Sequence, residues 1–126
     1  MHNPTVLDHF QNPRNAGELP PPAVTVEVTN PACGDILQLS VLIEEGQLRE
    51  VRFKAKGCVA SIACGSLLTE LAIGKTLEEA GRVTAAEVAA GIGGLPPESG
   101  HASVLAEDAI KAALKAVPHE ARRRQR

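Results

Sequence analysis

Between Val24 and Lys56 the sequence alternates apolar with polar residues in three successive stretches, and no other feature limits the possible folds as tightly. Val24-Thr25-Val26-Glu27-Val28-Thr29 alternates strictly; Leu37, Leu39, Val41 and Ile43 alternate with Gln38, Ser40 and Leu42; Val51, Phe53 and Ala55 oppose Glu50, Arg52, Lys54 and Lys56. A period of two sends successive side chains to opposite faces of an extended chain. Asn30-Pro31 ends the first stretch and Glu45-Gly46 turns the second into the third, so the segment reads as an antiparallel meander with one wet face. Its apolar face needs a cover. From Val59 onward Val59, Ile62, Ala63, Leu67 and Leu71 form one stripe at helical spacing, and Gly74 suits a helix C-terminus.

The remaining punctuation completes an element list. Val6, Leu7 and Phe10 predict a short helix that Asn12-Pro13 stops, and Pro20-Pro21-Pro22 predicts a stiff extended linker. Thr76 with Glu79, and Thr84 with Glu87, match the capping box, in which side chains satisfy the free backbone donors at a helix start. Gly91 to Gly94 and Leu95-Pro96-Pro97 then break the chain. A final helix is expected from about Ala102 to Val117, with Glu107 and Asp108 near its positive end, Glu107 paired to Lys111, and Pro118 closing it. The reading is a single α+β domain over residues 1–126, a small antiparallel three-stranded sheet covered on one face by helices, with a flexible basic tail at 118–126. A chain of 126 residues buries roughly two thirds of its unfolded surface in one core.

Charge and composition narrow the function. Of 13 basic residues, four are Arg122, Arg123, Arg124 and Arg126, which leaves nine against 15 acidic residues in the body. An acidic body with no Trp, no Tyr and 2% aromatics lacks the stacking platforms that single-stranded nucleic acid needs, so no nucleic-acid partner is expected. No apolar run approaches the roughly 20 residues of a membrane span, and Met1-His2-Asn3-Pro4 does not resemble a signal peptide; a cytoplasmic protein is the expectation.

The three cysteines, Cys33, Cys58 and Cys64, cannot close a disulfide framework. Cys58 falls at the junction of the third strand and the next helix, after Gly57, where backbone N–H groups and the helix dipole stabilise negative sulfur. Cys33 lies in the tight Pro31-Ala32-Cys33-Gly34-Asp35 loop with a carboxylate two positions on, and His101 comes just before the last helix, at a third loop-to-element junction. Two thiolates, a carboxylate and an imidazole suit Zn²⁺ or Fe²⁺ by ligand softness. The separations of 25 and 43 residues match no finger or ribbon, however, and each residue taken singly has a plain structural reading. Cys33 and Cys58 also read as small buried hydrophobes, Asp35 as a turn former and His101 as a helix cap. Cys64, inside the apolar stripe, reads as core, and His2, His9 and His119 as residues near flexible ends with no part in the site. A catalytic reading, Cys58 as nucleophile with His101 as base, lacks any identifiable oxyanion site.

Several segments together resemble the NifU/IscU family of iron–sulfur cluster assembly scaffolds. Val6-Leu-Asp-His-Phe-Gln-Asn-Pro-Arg-Asn-Ala-Gly17 is similar to the family's N-terminal motif, and Asn30-Pro-Ala-Cys-Gly-Asp35 to its first cysteine loop. Phe53-Lys-Ala-Lys-Gly-Cys58 resembles the second, and Leu105-Ala-Glu-Asp-Ala-Ile-Lys-Ala-Ala113 the last helix. The resemblance implies a NifU-like sandwich and a binding scaffold rather than a turnover enzyme. It also implies Cys33, Asp35 and Cys58 as ligands of a transient [2Fe–2S] cluster or of Fe²⁺ or Zn²⁺, with His101 as a fourth or alternate ligand. Implied partners are a cysteine desulfurase, an iron donor and recipient apo-proteins, with the scaffold a monomer or weak homo-oligomer and no membrane partner. Two departures stand out: the family's His-Cys-Ser reads His101-Ala102-Ser103 here, so its third cysteine is Ala102, and its Leu-Pro-Pro-Val-Lys reads Leu95-Pro-Pro-Glu-Ser99. The missing thiol leaves a second expectation, a cluster-incompetent zinc-binding relative that regulates a desulfurase.

Overall fold

The computed structural model describes residues 2–118. Helix α1 spans Pro4–Gln11; strands β1, β2 and β3 span Val24–Thr29, Ile36–Glu44 and Gln47–Lys56; α2 spans Val59–Ala72, α3 Leu77–Ala80, α4 Ala85–Gly91 and α5 His101–Ala116, with a 3₁₀ turn at Pro97–Ser99. The strands pair antiparallel in the order β1-β2-β3, Val26 opposite Leu39 and Leu39 opposite Phe53, with a bulge between Leu42 and Ile43. The expected α+β meander is therefore present.

The two-residue period decides which face is buried. Leu37, Leu39, Val41, Val51 and Phe53 are all at most 2% exposed, while Glu50, Arg52 and Lys54 face water. Helix α2 lies over β3, α5 lies over β1 and β2, and the two helices pack side by side. Gly65 lets α2 lie flat, since a Cβ there would stand 2.7 Å from Phe53 Cδ2 and 3.0 Å from Leu37 Cδ1. The outer edge of β3 is closed by other segments: Gly17 N–H donates to Phe53 C=O (2.8 Å), Phe53 N–H to Asn15 C=O (3.0 Å), and Leu48 exchanges hydrogen bonds with Gly74 and Lys75. Paired edge groups remove a template for strand addition. Among the described residues no helix is long and apolar enough to cross a membrane.

The two expected capping boxes form to different extents. The Thr76–Glu79 capping box forms in full, whereas Thr84 accepts from Glu87 N–H without the return bond. The N–H of Ala85 donates instead to Glu107 Oε1 (2.6 Å), which ties the start of α4 to α5. The proline linker is not extended throughout: Ala23 N–H closes a turn on Pro20 C=O (3.1 Å). Most of the basic tail, residues 119–126, lies outside the described residues.

Helix α1 starts where Asn3 Oδ1 accepts from Val6 N–H (2.9 Å) and Pro4 occupies the first turn. It packs on α2 through Val6, as spacing predicts, and through His9, while the other two spaced positions, Leu7 and Phe10, are 39% and 37% exposed. His9 has a structural place of its own in the α1–α2 contact, among residues other than the four expected at the site. Its Nδ1 lies 2.7 Å from Ser66 Oγ, its Nε2 3.6 Å from Glu70 Oε1, and Arg14 N–H donates to the same Ser66 hydroxyl (2.8 Å).

Burial first, then Arg14, pushes the His9 pKa below its ordinary 6.5 against the opposing pull of Glu70 and Asp8. A depressed folded pKa means the unfolded chain binds the proton more readily, so this contribution to stability is intact above about pH 6.5 and is lost as the pH falls through the folded value. Urea midpoints measured at pH 7.5 and 5.5 are expected to separate in the native sequence and to draw together in His9→Gln. An equal separation in both proteins would rule out His9 as the source.

Candidate metal and sulfur site

Three junctions meet at one end of the sheet. The first is the β1–β2 loop, where Asn30 Oδ1 accepts from Ala32 N–H (2.8 Å) and Asn30 C=O from Gly34 N–H (2.7 Å). These bonds tie the loop into a tight turn that leaves Cys33 exposed and sets Asp35, 8% exposed, just before β2. The second is the β3–α2 junction, where Gly57 has φ +153° and Cys58 is the N-terminal cap residue of α2. The third is the first turn of α5, which His101 opens.

Cys58 makes no capping bond of its own to α2. Asp35 reaches this helix start from a different loop: its Oδ2 accepts from Cys58 N–H (3.3 Å) and from Ser61 Oγ (2.6 Å), at the positive end of the helix. The Ser61 hydroxyl is the largest influence holding the Asp35 carboxyl at about 2, against the opposing effect of burial; Cys58 N–H and the Cys58 and Cys33 thiols add to the lowering. A carboxylate kept ionised under all physiological conditions is a standing ligand for a cation.

The structure brings all four expected residues to this point, in two tiers. One donor atom each from Cys33, Asp35 and His101 lie within 4.8 Å of one another. Cys58 stands beside that trio: its Sγ is 3.7 Å from His101 Nε2 and 3.5 Å from Ser61 Oγ, and His101 Nε2 is 3.5 Å from Asp35 Oδ2. Cys58 and Cys33 are both exposed, so neither is the small buried hydrophobe of the plainer reading. Sulfur, nitrogen and one oxygen at such separations make a donor set suited to Zn²⁺ or Fe²⁺.

Cys64 stays out of the site. It is fully buried on α2, and burial pushes its thiol up to about 12, so it behaves as core. Ala102 is 1% exposed and offers no donor atom. Ser61 has no signal in the sequence, and Gly57 matters for more than the junction it marks there. Ser61 sits three places after Cys58, a hydroxyl within the first turn of a helix that no side chain of its own caps. Gly57 is required because a Cβ would stand 2.4 Å from Asp35 Cγ.

Comparison with known proteins shows the family. Residues 1–124 match the family model described as NifU-like N terminal domain. The chain is 44% identical over 119 residues to the iron–sulfur cluster assembly scaffold protein IscU of Azotobacter vinelandii, covering 91% of this chain and 92% of that protein. It is 41% identical over 114 residues to iron–sulfur cluster assembly scaffold protein IscU 1 of Archaeoglobus fulgidus, covering 90% of this chain and 74% of that one. A crystal structure of a Fervidobacterium islandicum protein shares the fold, with a TM-score of 0.71 at 19% identity and coverage of 90% and 96%. With the family model matched over residues 1–124 and near-complete coverage by relatives at more than 40% identity, the chain belongs to the NifU-like N-terminal domain family.

Proposed function

We propose that this protein is a scaffold or carrier for iron–sulfur cluster assembly that takes iron and sulfur as cargo, holds a transient [2Fe–2S] unit and hands it on. The observation that carries the reading is the convergence of Cys33, Asp35 and His101 within 4.8 Å, with Cys58 3.7 Å from His101, on three separate junctions of a chain whose relatives are named scaffolds. Ligands on separate junctions can part from one another, which suits release better than a closed structural site does. Cys33, Asp35 and His101 receive the iron. Cys58 is the thiol that accepts sulfur from a desulfurase persulfide: its sulfur bonds to the outer persulfide sulfur, the donor's S–S bond breaks, and the Cys58 proton ends on the departing donor thiol. No net oxidation occurs. The partners are then a cysteine desulfurase, an iron donor and recipient apo-proteins, met in the cytoplasm by a monomer or weak homo-oligomer that binds rather than turns over. The zinc-binding regulator is not favoured, because the relatives carry scaffold names.

Anaerobic reconstitution with iron, cysteine and a desulfurase tests the reading. Sulfur-to-iron charge-transfer absorption is expected; stoichiometric zinc uptake with no such band would reject the scaffold. In the same assay Asp35→Ala is expected to lengthen the lifetime of the bound cluster several-fold, because an exchangeable hard oxygen ligand is gone and release loses its easiest first step. A shortened lifetime would contradict that role for Asp35.

A further inference from the structure

Asp35 is confined more closely than a ligand at a loop end needs to be. Gly57 lies under its carboxyl group, where a Cβ would stand 2.4 Å from Cγ and 2.7 Å from each oxygen. Oδ2 already accepts from Ser61 Oγ (2.6 Å) and Cys58 N–H (3.3 Å), and His101 Nε2 is 3.5 Å away from the same atom. Two donors therefore fix Oδ2, the carboxylate oxygen on the His101 side of the site. Ser61 itself is 1% exposed, shut away from water that could compete for its hydroxyl.

We propose that Ser61 is a positioning residue for the cargo site: by holding Oδ2 it fixes the plane of the carboxylate that Asp35 turns toward the incoming ion. The proposal rests on the reading of Asp35 as an iron ligand. A carboxylate held in one orientation fits a scaffold, since it meets an incoming ion without first having to be ordered. Partners that orient a metal ligand typically matter by about 10- to 100-fold in affinity although they never touch the ion.

The test uses the purified full chain, without oxygen, titrated with Co²⁺ and followed through thiolate-to-cobalt charge-transfer absorption. Ser61→Ala is expected to bind Co²⁺ about 10- to 100-fold more weakly, and Ser61→Thr, which keeps the hydroxyl, to remain near the native affinity. In an Asp35→Ala background, Ser61→Ala should add no further loss, because the two residues act through one bond. Native-like binding by Ser61→Ala, or an equal further loss without Asp35, overturns the positioning role. Absence of any charge-transfer band in the native chain overturns the ion site and this proposal together. Failed cluster reconstitution in a protein that still shows the Ser61 dependence rejects the scaffold reading alone.

Discussion

Gly57→Ala is expected to lower affinity for Fe²⁺ or Zn²⁺ by at least about 100-fold, more than any other single change outside the ligands, because it displaces a ligand and that ligand's supports together. The added methyl overlaps the Asp35 carboxyl carbon, 2.4 Å from where the Cβ must go, and backbone on that side cannot yield because Gly57 already holds φ +153°. An L side chain at that angle costs about 1–3 kcal/mol in itself. Moving Asp35 away then breaks the bonds from Ser61 and Cys58 N–H, each a hydrogen bond to a charged group worth about 1.5–3 kcal/mol. Part of this returns as water reaches the displaced carboxylate, so we expect a net loss of about 3 kcal/mol in the apo-protein. Denaturant unfolding and metal titration at neutral pH check both figures. Affinity within a few-fold of native would mean that Asp35 can reach the ion from another direction.

What the sequence disclosed and what it hid follow from the range of the interactions concerned. Period-two alternation along β2 and β3 is a local signal of which side is wet, and Leu37, Leu39, Val51 and Phe53 duly occupy the buried face. The junction positions of Cys33, Cys58 and His101 were legible for a similar reason: each is bounded by turn or helix-start residues next to it in the chain. Ser61 was not legible because its meaning comes from Asp35, 26 residues earlier, and a serine in the first turn of a helix looks like any other. His9 misled for the converse reason. Helical spacing nominates Val6, Leu7 and Phe10, of which only Val6 is buried, because α2 presents Ser66 and Glu70 to α1 and a polar partner draws the imidazole inward. Nor could spacing show that Cys58 lies beside the trio of Cys33, Asp35 and His101 rather than within it, since this depends on how three chain junctions meet.

Phe53→Ala is expected to destabilise the protein by about 3–5 kcal/mol while leaving the ion site serviceable. Phe53 is 2% exposed, whereas the other phenylalanine, Phe10, is 37% exposed, so this ring is the only buried aromatic among the described residues. Helix α2 rests on it through Gly65, whose missing side chain allows contact with the ring. Truncation opens a void that neither the sheet, fixed by its ladders to β2 and to Asn15 and Gly17, nor the helix can close completely. Against a total of about 5–15 kcal/mol for a domain, such a loss lowers the melting temperature by about 10–20 °C. The site survives because Asp35, Cys58 and Ser61 are joined by their own hydrogen bonds beyond the end of β3. Saturating Zn²⁺ at about 100 times its dissociation constant should therefore restore about 2.7 kcal/mol to Phe53→Ala, through binding to the folded state alone. The same Zn²⁺ concentration should give Gly57→Ala almost nothing. Thermal melts of the two variants with and without Zn²⁺ separate damage to the core from damage to the site, and equal rescue of both would show that Gly57 acts only through packing.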